Sequence, residues 1–156
     1  MDKKLIFFLA LLFSINVFSQ NIPQVPELVT LDKIRLNINE DARNEIQIEV
    51  DALHANAKYF NAIIDKINIY FPVIEKILEE ENVPTDFKYL SLQESSLISD
   101  AVSSSNAVGF WQFKSTTAKT YGLNINNLVD ERRNVVSSTR AAAKYLKNSN
   151  FVFDNW

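Results

Sequence analysis

Cysteine is absent from all 156 residues, which excludes disulfides, a thiol nucleophile, thiolate metal sites and a lipid-modified N-terminal cysteine. Stability must therefore come from packing. Glycine is nearly absent too, occurring only as Gly109 and Gly122. Sheets and tight hairpins use glycine often, so its scarcity favours helices joined by short turns. The net charge is only -3 and the basic residues are scattered, which leaves no phosphate-tracking surface and no reason to expect nucleic acid as a partner. The apolar run from Leu5 to Phe18 is broken by Ser14 and Asn16 and falls short of the roughly 20 residues that a membrane-crossing helix needs.

The composition, 47% hydrophobic and 22% charged, is that of a globular chain sized for one domain plus an extra segment. Lys3 and Lys4 before the apolar run, and the small Val17 and Ser19 after it, give residues 1–19 the pattern of an export signal. An exported protein of the periplasm or cell envelope is expected, with no integral membrane span once the signal is removed. Residues 20–54 are read as a linker followed by an N-terminal helical segment. Pro23 and Pro26 lie in a polar, non-periodic stretch, while EIQIEV alternates like a strand yet also places Ile46, Val50 and Leu53 at helical spacing. Helix is favoured there because no second strand pattern follows.

Residues 55–156 are read as the main domain. Ile63, Ile67, Tyr70, Ile74 and Ile77 recur at helical intervals, and Pro72 predicts either a kink or a new helix starting at that point. The acidic run Glu79 to Glu81 is read as a solvated face, and His54 as an ordinary surface or boundary residue. Pro84 opens a further helix in which Phe87, Leu90, Glu94 and Leu97 share a face, so a carboxylate stands where periodicity asks for an apolar side chain. Such a group must be paired, hydrogen-bonded or held neutral. On spacing alone, a structural pairing and a catalytic role are equally supported. Ser115 is expected to cap a short helix that Gly122 ends in a left-handed turn, and a last helix is expected over Val135 to Lys147.

From Pro84 to Leu146 the sequence resembles the catalytic domain of lytic transglycosylases of the membrane-bound lytic murein transglycosylase D type. Glu94-Ser95 matches the family's Glu-Ser pair, and Ala101 and Ser103 match positions in the following loop. Ala107 to Phe113 matches the Gly-Leu-Trp-Gln-Phe signature with Phe110 in place of leucine. Asp130 to Arg133, then Thr139 with Ala141 to Ala143, match two downstream elements. Asn106 stands where the family usually has glycine. The family's third motif, Ala-Tyr-Asn-x-Gly, lies beyond the last residue of this chain, and Tyr121 and Tyr145 do not match its tyrosine. The domain is therefore expected to be incomplete at its C-terminus.

The resemblance implies an all-α, lysozyme-like helical domain preceded by a helical segment. It also implies an activity: cleavage of the bond between N-acetylmuramic acid and N-acetylglucosamine in peptidoglycan, leaving 1,6-anhydro-muramic ends, without cofactor or metal. Glu94 would act first as acid and then as base. Its place near a helix C-terminus, with Phe110 or Trp111 at hand to enclose it, suits that task. Ser95, Ser103, Gly109, Trp111 and Gln112 are the implied substrate-binding residues. A turn serine, a buried glutamine, a glycine required by a turn and a core tryptophan are the competing structural readings of the last four. Arg132 and Arg133 are read as structural partners of Asp130 and Glu131. Two alternatives stay open: a hydrolytic muramidase using Asp100 or Asp130 as a second carboxylate, and an inactive glycan-binding helical module. Peptidoglycan strands are the expected partner.

Overall fold

The computed structural model describes residues 22–31 and 34–153; the export-signal pattern lies outside them. A two-stranded antiparallel hairpin, β1 (Leu28–Leu31) and β2 (Ile34–Asn37), comes first. Helix α1 (Glu40–Ala55) follows, then α2 (Ala57–Glu80). A 3-10 turn at Thr85–Phe87 leads into α3 (Lys88–Ser95). Helix α4 (Ser115–Thr120), a second 3-10 turn at Glu131–Arg133 and α5 (Val135–Phe153) complete the described chain. The architecture is the expected all-α one, to which the hairpin is an addition that sequence pattern did not predict. It is tied to α1 by the Val25 backbone N–H donating to Gln47 Oε1 at 2.9 Å and by the Arg43–Glu27 ion pair at 3.1 Å.

Asparagines start three of the helices. Asn39 accepts from the Ala42 N–H, Asn56 from the Tyr59 N–H, and Asn134 from the Val136 and Ser137 N–H groups, so donors that a helix start leaves unsatisfied find acceptors. Asn56 alone separates α1 from α2. The EIQIEV ambiguity resolves as helix, and α1 buries none of its residues. Helix α2 runs unbroken through Pro72, which is neither a new start nor an end. Proline removes a donor to the carbonyl four residues back, here that of Asn68. Both residues are exposed, so water can take the missing place. Ser115 is the first residue of α4 rather than its cap; Lys114 occupies the capping position without a side-chain bond. Gly122, at φ +90, closes α4 as expected, with its own N–H on the Lys119 carbonyl and that of Leu123 on Ala118.

Helices α2 and α5 pack together and carry most of the core. Phe71, Ile74 and Leu78 from α2 meet Ala141, Ala142, Ala143 and Leu146 from α5, and Phe110, Trp111 and Leu97 close over them. The alanine run supplies no bulk of its own, so the backbone of α5 can lie close to the larger side chains of α2. The acidic end of α2 is bound to α5 as well: Arg140 reaches Glu80 at 2.8 Å, and Lys147 reaches Glu81 at 2.6 Å. The expected solvated acidic face is therefore partly an inter-helix ion-pair network, whose cations hold the Glu81 carboxyl below its ordinary range, the Lys147 hydrogen bond foremost.

Helix α3 packs its half-buried Leu90 and Leu92 against the core, but its most buried residues are serines. Ser91 is fully buried and Ser95 nearly so, while Glu94 is exposed and Leu90 half-buried. The serines tolerate this because their hydroxyls donate to backbone, Ser91 to the Lys88 carbonyl at 2.7 Å and Ser95 to that of Ser91 at 3.1 Å. Ser138 on α5 does the same, donating to Asn134 at 2.6 Å. A serine bonded to its own helix buries little unsatisfied polarity and takes little space.

Candidate active site

Glu94 lies in the last turn of α3, after which Ser96 and Leu97 both take left-handed backbone conformations, at φ 50 and 56. Lys66 of α2 donates to the Ser96 carbonyl at 3.1 Å, and Leu97 is almost completely buried, so the turn is held on both sides. The chain then folds into a compact loop over 101–113. Within it Gly109 N–H donates to the Ala101 carbonyl at 2.9 Å, Val108 N–H to Phe113, and Ser103 N–H to Ala107. Asn106 and Gln112 are also left-handed, at φ 61 and 47, so Asn106 adopts a conformation that suits the glycine usual at its position in the family pattern.

One cleft of about 280 Å³ lies where these parts meet. Helix α3 gives it Leu90 and Glu94, the loop gives Trp111, Gln112, Phe113 and Lys114, α4 gives Thr117, and α5 gives Ala142, Tyr145 and Leu146. Glu94 is the sole carboxylate among these residues. It forms no ion pair among the described residues. Of the two rings expected to enclose Glu94, Trp111 lines the cleft with it and Phe110 is buried outside the lining, while Glu94 itself is exposed. The α3 helix turns its serines inward, and that rotates Glu94 out.

The other nominated residues fall into two groups. Gln112 and Trp111 line the cleft. Gln112 donates through Nε2 to the Gly109 and Ala101 carbonyls at 3.0 and 3.3 Å, and Trp111 Nε1 donates to Thr139 Oγ1 at 3.0 Å in the interior. Ser95, Ser103 and Gly109 do not line it. The Ser95 hydroxyl also reaches the Phe110 carbonyl at 3.0 Å, joining α3 to the loop. Ser103 Oγ accepts from Ala107 N–H inside its own turn. Gly109, at φ +80, lies so close to Arg132 that a Cβ would sit 1.9 Å from the Arg132 carbonyl oxygen; another backbone segment fills the space a side chain would take.

Arg132 pins the loop from behind. Its guanidinium is nearly buried, pairs with Asp130 at 2.7 Å and donates to the Phe113 carbonyl at 3.1 Å. The Arg132 hydrogen bond holds the Asp130 carboxyl below its ordinary range, and the nearby Arg133 charge adds to this. Asp130 is thus committed to structure, and neither it nor Asp100 lines the cleft. Sequence pattern missed Tyr145, Lys114 and Thr117 as cleft residues. Tyr145 had a usable signal, since it stands three residues after Ala142 on the α5 face that bears Leu146. Lys114 and Thr117 had none, because their placement depends on how the loop folds.

A small helical domain with one acid at the rim of a groove, backed by a compact motif loop, is of the lysozyme-like kind. The family model for the Transglycosylase SLT domain matches residues 71–156, and the chain belongs to that family. The membrane-bound lytic murein transglycosylase D of Escherichia coli (strain K12) is 30% identical over 123 residues, which are 79% of this chain and 27% of that protein. The protein of the same name from Escherichia coli O6:H1 matches over the same shares. A putative tributyltin chloride resistance protein of Alteromonas sp. (strain M-1) is 33% identical over 86 residues, 55% of this chain and 41% of that one. The chain thus spans only about a quarter to two-fifths of the length of these relatives.

Proposed function

We propose that this chain carries the bond-cleaving unit of a peptidoglycan lytic transglycosylase, with Glu94 as acid and then base. The observation that carries this reading is that Glu94 is the one carboxylate lining the cleft, inside the segment that matches the family. The protonated Glu94 gives its proton to the glycosidic oxygen as the bond from the muramic anomeric carbon breaks and positive charge develops on that sugar. The resulting carboxylate takes the proton of the same sugar's C6 hydroxyl, whose oxygen bonds to the anomeric carbon. Glu94 ends protonated, and no water is consumed. Because nucleophile and electrophile belong to one ring, proximity replaces the second carboxylate that a hydrolase needs. Asp130, locked to Arg132, does not favour the hydrolytic alternative.

In this reading Gln112 and Tyr145 face the glycan from the cleft, while Ser95, Ser103, Gly109 and Trp111 act by holding the loop in shape. The chain divides into an export signal at 1–19, an N-terminal segment at 20–54 and the transglycosylase domain at 55–156, and it works on peptidoglycan in the periplasm or envelope. The described residues contain no helix long and apolar enough to cross a membrane. The test is to digest purified peptidoglycan and identify the products by mass spectrometry. Release of 1,6-anhydro-muramic products, abolished by Glu94→Gln, is expected. Products bearing only reducing muramic ends would reassign the chain as a hydrolase, and anhydro release surviving Glu94→Gln would remove Glu94 from the role.

A further inference from the structure

The cleft that holds Glu94 also holds one cation. Lys114 follows the buried Phe113, is exposed, and lines the cleft beside Thr117. Five cations elsewhere around the core are engaged, Arg132 with Asp130, Arg140 with Glu80, Lys147 with Glu81, Lys88 with Glu75, and Lys66 with a backbone carbonyl, and none of them lines the cleft. Lys114 pairs with no acid among the described residues, Glu94 included. It is therefore an ammonium standing in the cleft without an acidic partner among the described residues, in a chain whose net charge is negative.

A strand of N-acetylglucosamine alone offers this group no charge to meet. Muramic acid differs by its lactyl ether, whose carboxyl is either free or extended by a peptide stem with carboxylates of its own. We infer that Lys114 reads a carboxylate on the muramic unit, so that the cleft selects anionic, muramic-containing strands over neutral chitin-type ones. The inference rests on the glycan-cleaving reading above and names what that cleft discriminates. A lysine suits the task because a compact charge on a flexible four-carbon stem can follow a carboxylate that is not rigidly fixed. At an exposed site the attraction is modest and screened by salt.

The test is a set of NMR titrations of the ¹⁵N-labelled full chain carrying Glu94→Gln, which prevents turnover. The ligands are chitotetraose, the alternating N-acetylglucosamine–N-acetylmuramic tetrasaccharide with free lactyl carboxylates, and the same tetrasaccharide with stem dipeptides. With Lys114 present, at least one carboxylate-bearing ligand binds about three- to fivefold more tightly than chitotetraose, the scale of an exposed ion pair. That preference disappears in Lys114→Met, persists in Lys114→Arg and shrinks as salt is raised. The ligand that loses more in Lys114→Met identifies the lactyl or the stem carboxylate as the group read. If chitotetraose binds as tightly as the other two, or if Lys114→Met weakens all three equally or none, the inference is overturned while a glycan cleft stands. If none of the three binds, the glycan reading falls together with it.

Discussion

The two glycines make a controlled experiment, because both take left-handed conformations and only one is crowded. At Gly122, φ is +90 and nothing lies within 4 Å of where a Cβ would stand. Gly122→Ala should therefore cost only backbone strain, about 1–2 kcal/mol. At Gly109, φ is +80, and the added Cβ would lie 1.9 Å from the Arg132 carbonyl oxygen and 2.6 Å from its carbonyl carbon. Both atoms are backbone, so no rotamer change relieves the clash. The Arg132 segment must move by more than 1 Å, which pulls on the guanidinium that holds Asp130 and the Phe113 carbonyl. Adding overpacking of about 1–3 kcal/mol to the same strain gives a loss of roughly 2–5 kcal/mol for Gly109→Ala. Urea unfolding followed by far-UV circular dichroism, with both variants and the parent at equal slope, measures the difference directly. A Gly109→Ala loss no greater than that of Gly122→Ala would refute the argument that backbone contact, rather than conformation, requires glycine there.

Three further outcomes follow from the site. The Asp130 carboxyl is held below its ordinary range when folded, so the unfolded chain binds its proton first as pH falls. The stability it contributes is present above about pH 4 and is lost as pH drops through the depressed folded value. Asp130→Asn should cost roughly 2–3 kcal/mol at neutral pH and flatten the acid limb of a stability–pH curve, although Glu81, also depressed, keeps part of that limb in both chains. An unchanged limb in Asp130→Asn would exclude the pair as its source. Ser95→Ala removes the bond to the Phe110 carbonyl and should lower stability by about 1–2 kcal/mol in urea titration; a neutral result would mean that carbonyl finds another donor. Glu94→Gln should leave stability within about 0.5 kcal/mol, since Glu94 is exposed and without an ion pair among the described residues; a larger loss would show a structural bond at that carboxylate.

The long elements were legible because they are periodic. Ile67, Tyr70, Ile74 and Ile77 announce α2, and the alanine run announces the close approach of α5. The hairpin at Leu28–Leu31 and Ile34–Asn37 was not legible: four-residue strands are too short to show a period of two, and Leu28, Thr30, Arg35 and Leu36 are all exposed, so no buried face marks them. Helix α3 was legible in part. Of the expected Phe87, Leu90, Glu94 and Leu97 face, Leu97 is buried and Phe87 and Leu90 pack against the core, but Glu94 is exposed and the structure buries Ser91 and Ser95, whose hydroxyls are satisfied by backbone and so count as small core residues. Glu94 was nominated by its place in an ordered motif; its exposure was not legible, because exposure follows from that serine face. The cleft's second charge, Lys114, belongs to no periodic pattern and emerges only once the loop is folded.

Among the described residues, four of the five non-glycine positions with left-handed backbone, namely Ser96, Leu97, Asn106 and Gln112, fall between Glu94 and Phe113, both of which line the cleft. Each such position costs on the order of 1–2 kcal/mol, less for asparagine, against a net stability of about 5–15 kcal/mol typical of a domain. That connecting stretch thus holds a reserve of unrealised stability. Sequence drift or design that seeks a sturdier protein will press on the stretch that joins the cleft's acid to its loop. Asn106, exposed and left-handed, is where that pressure can act without disturbing a buried side chain.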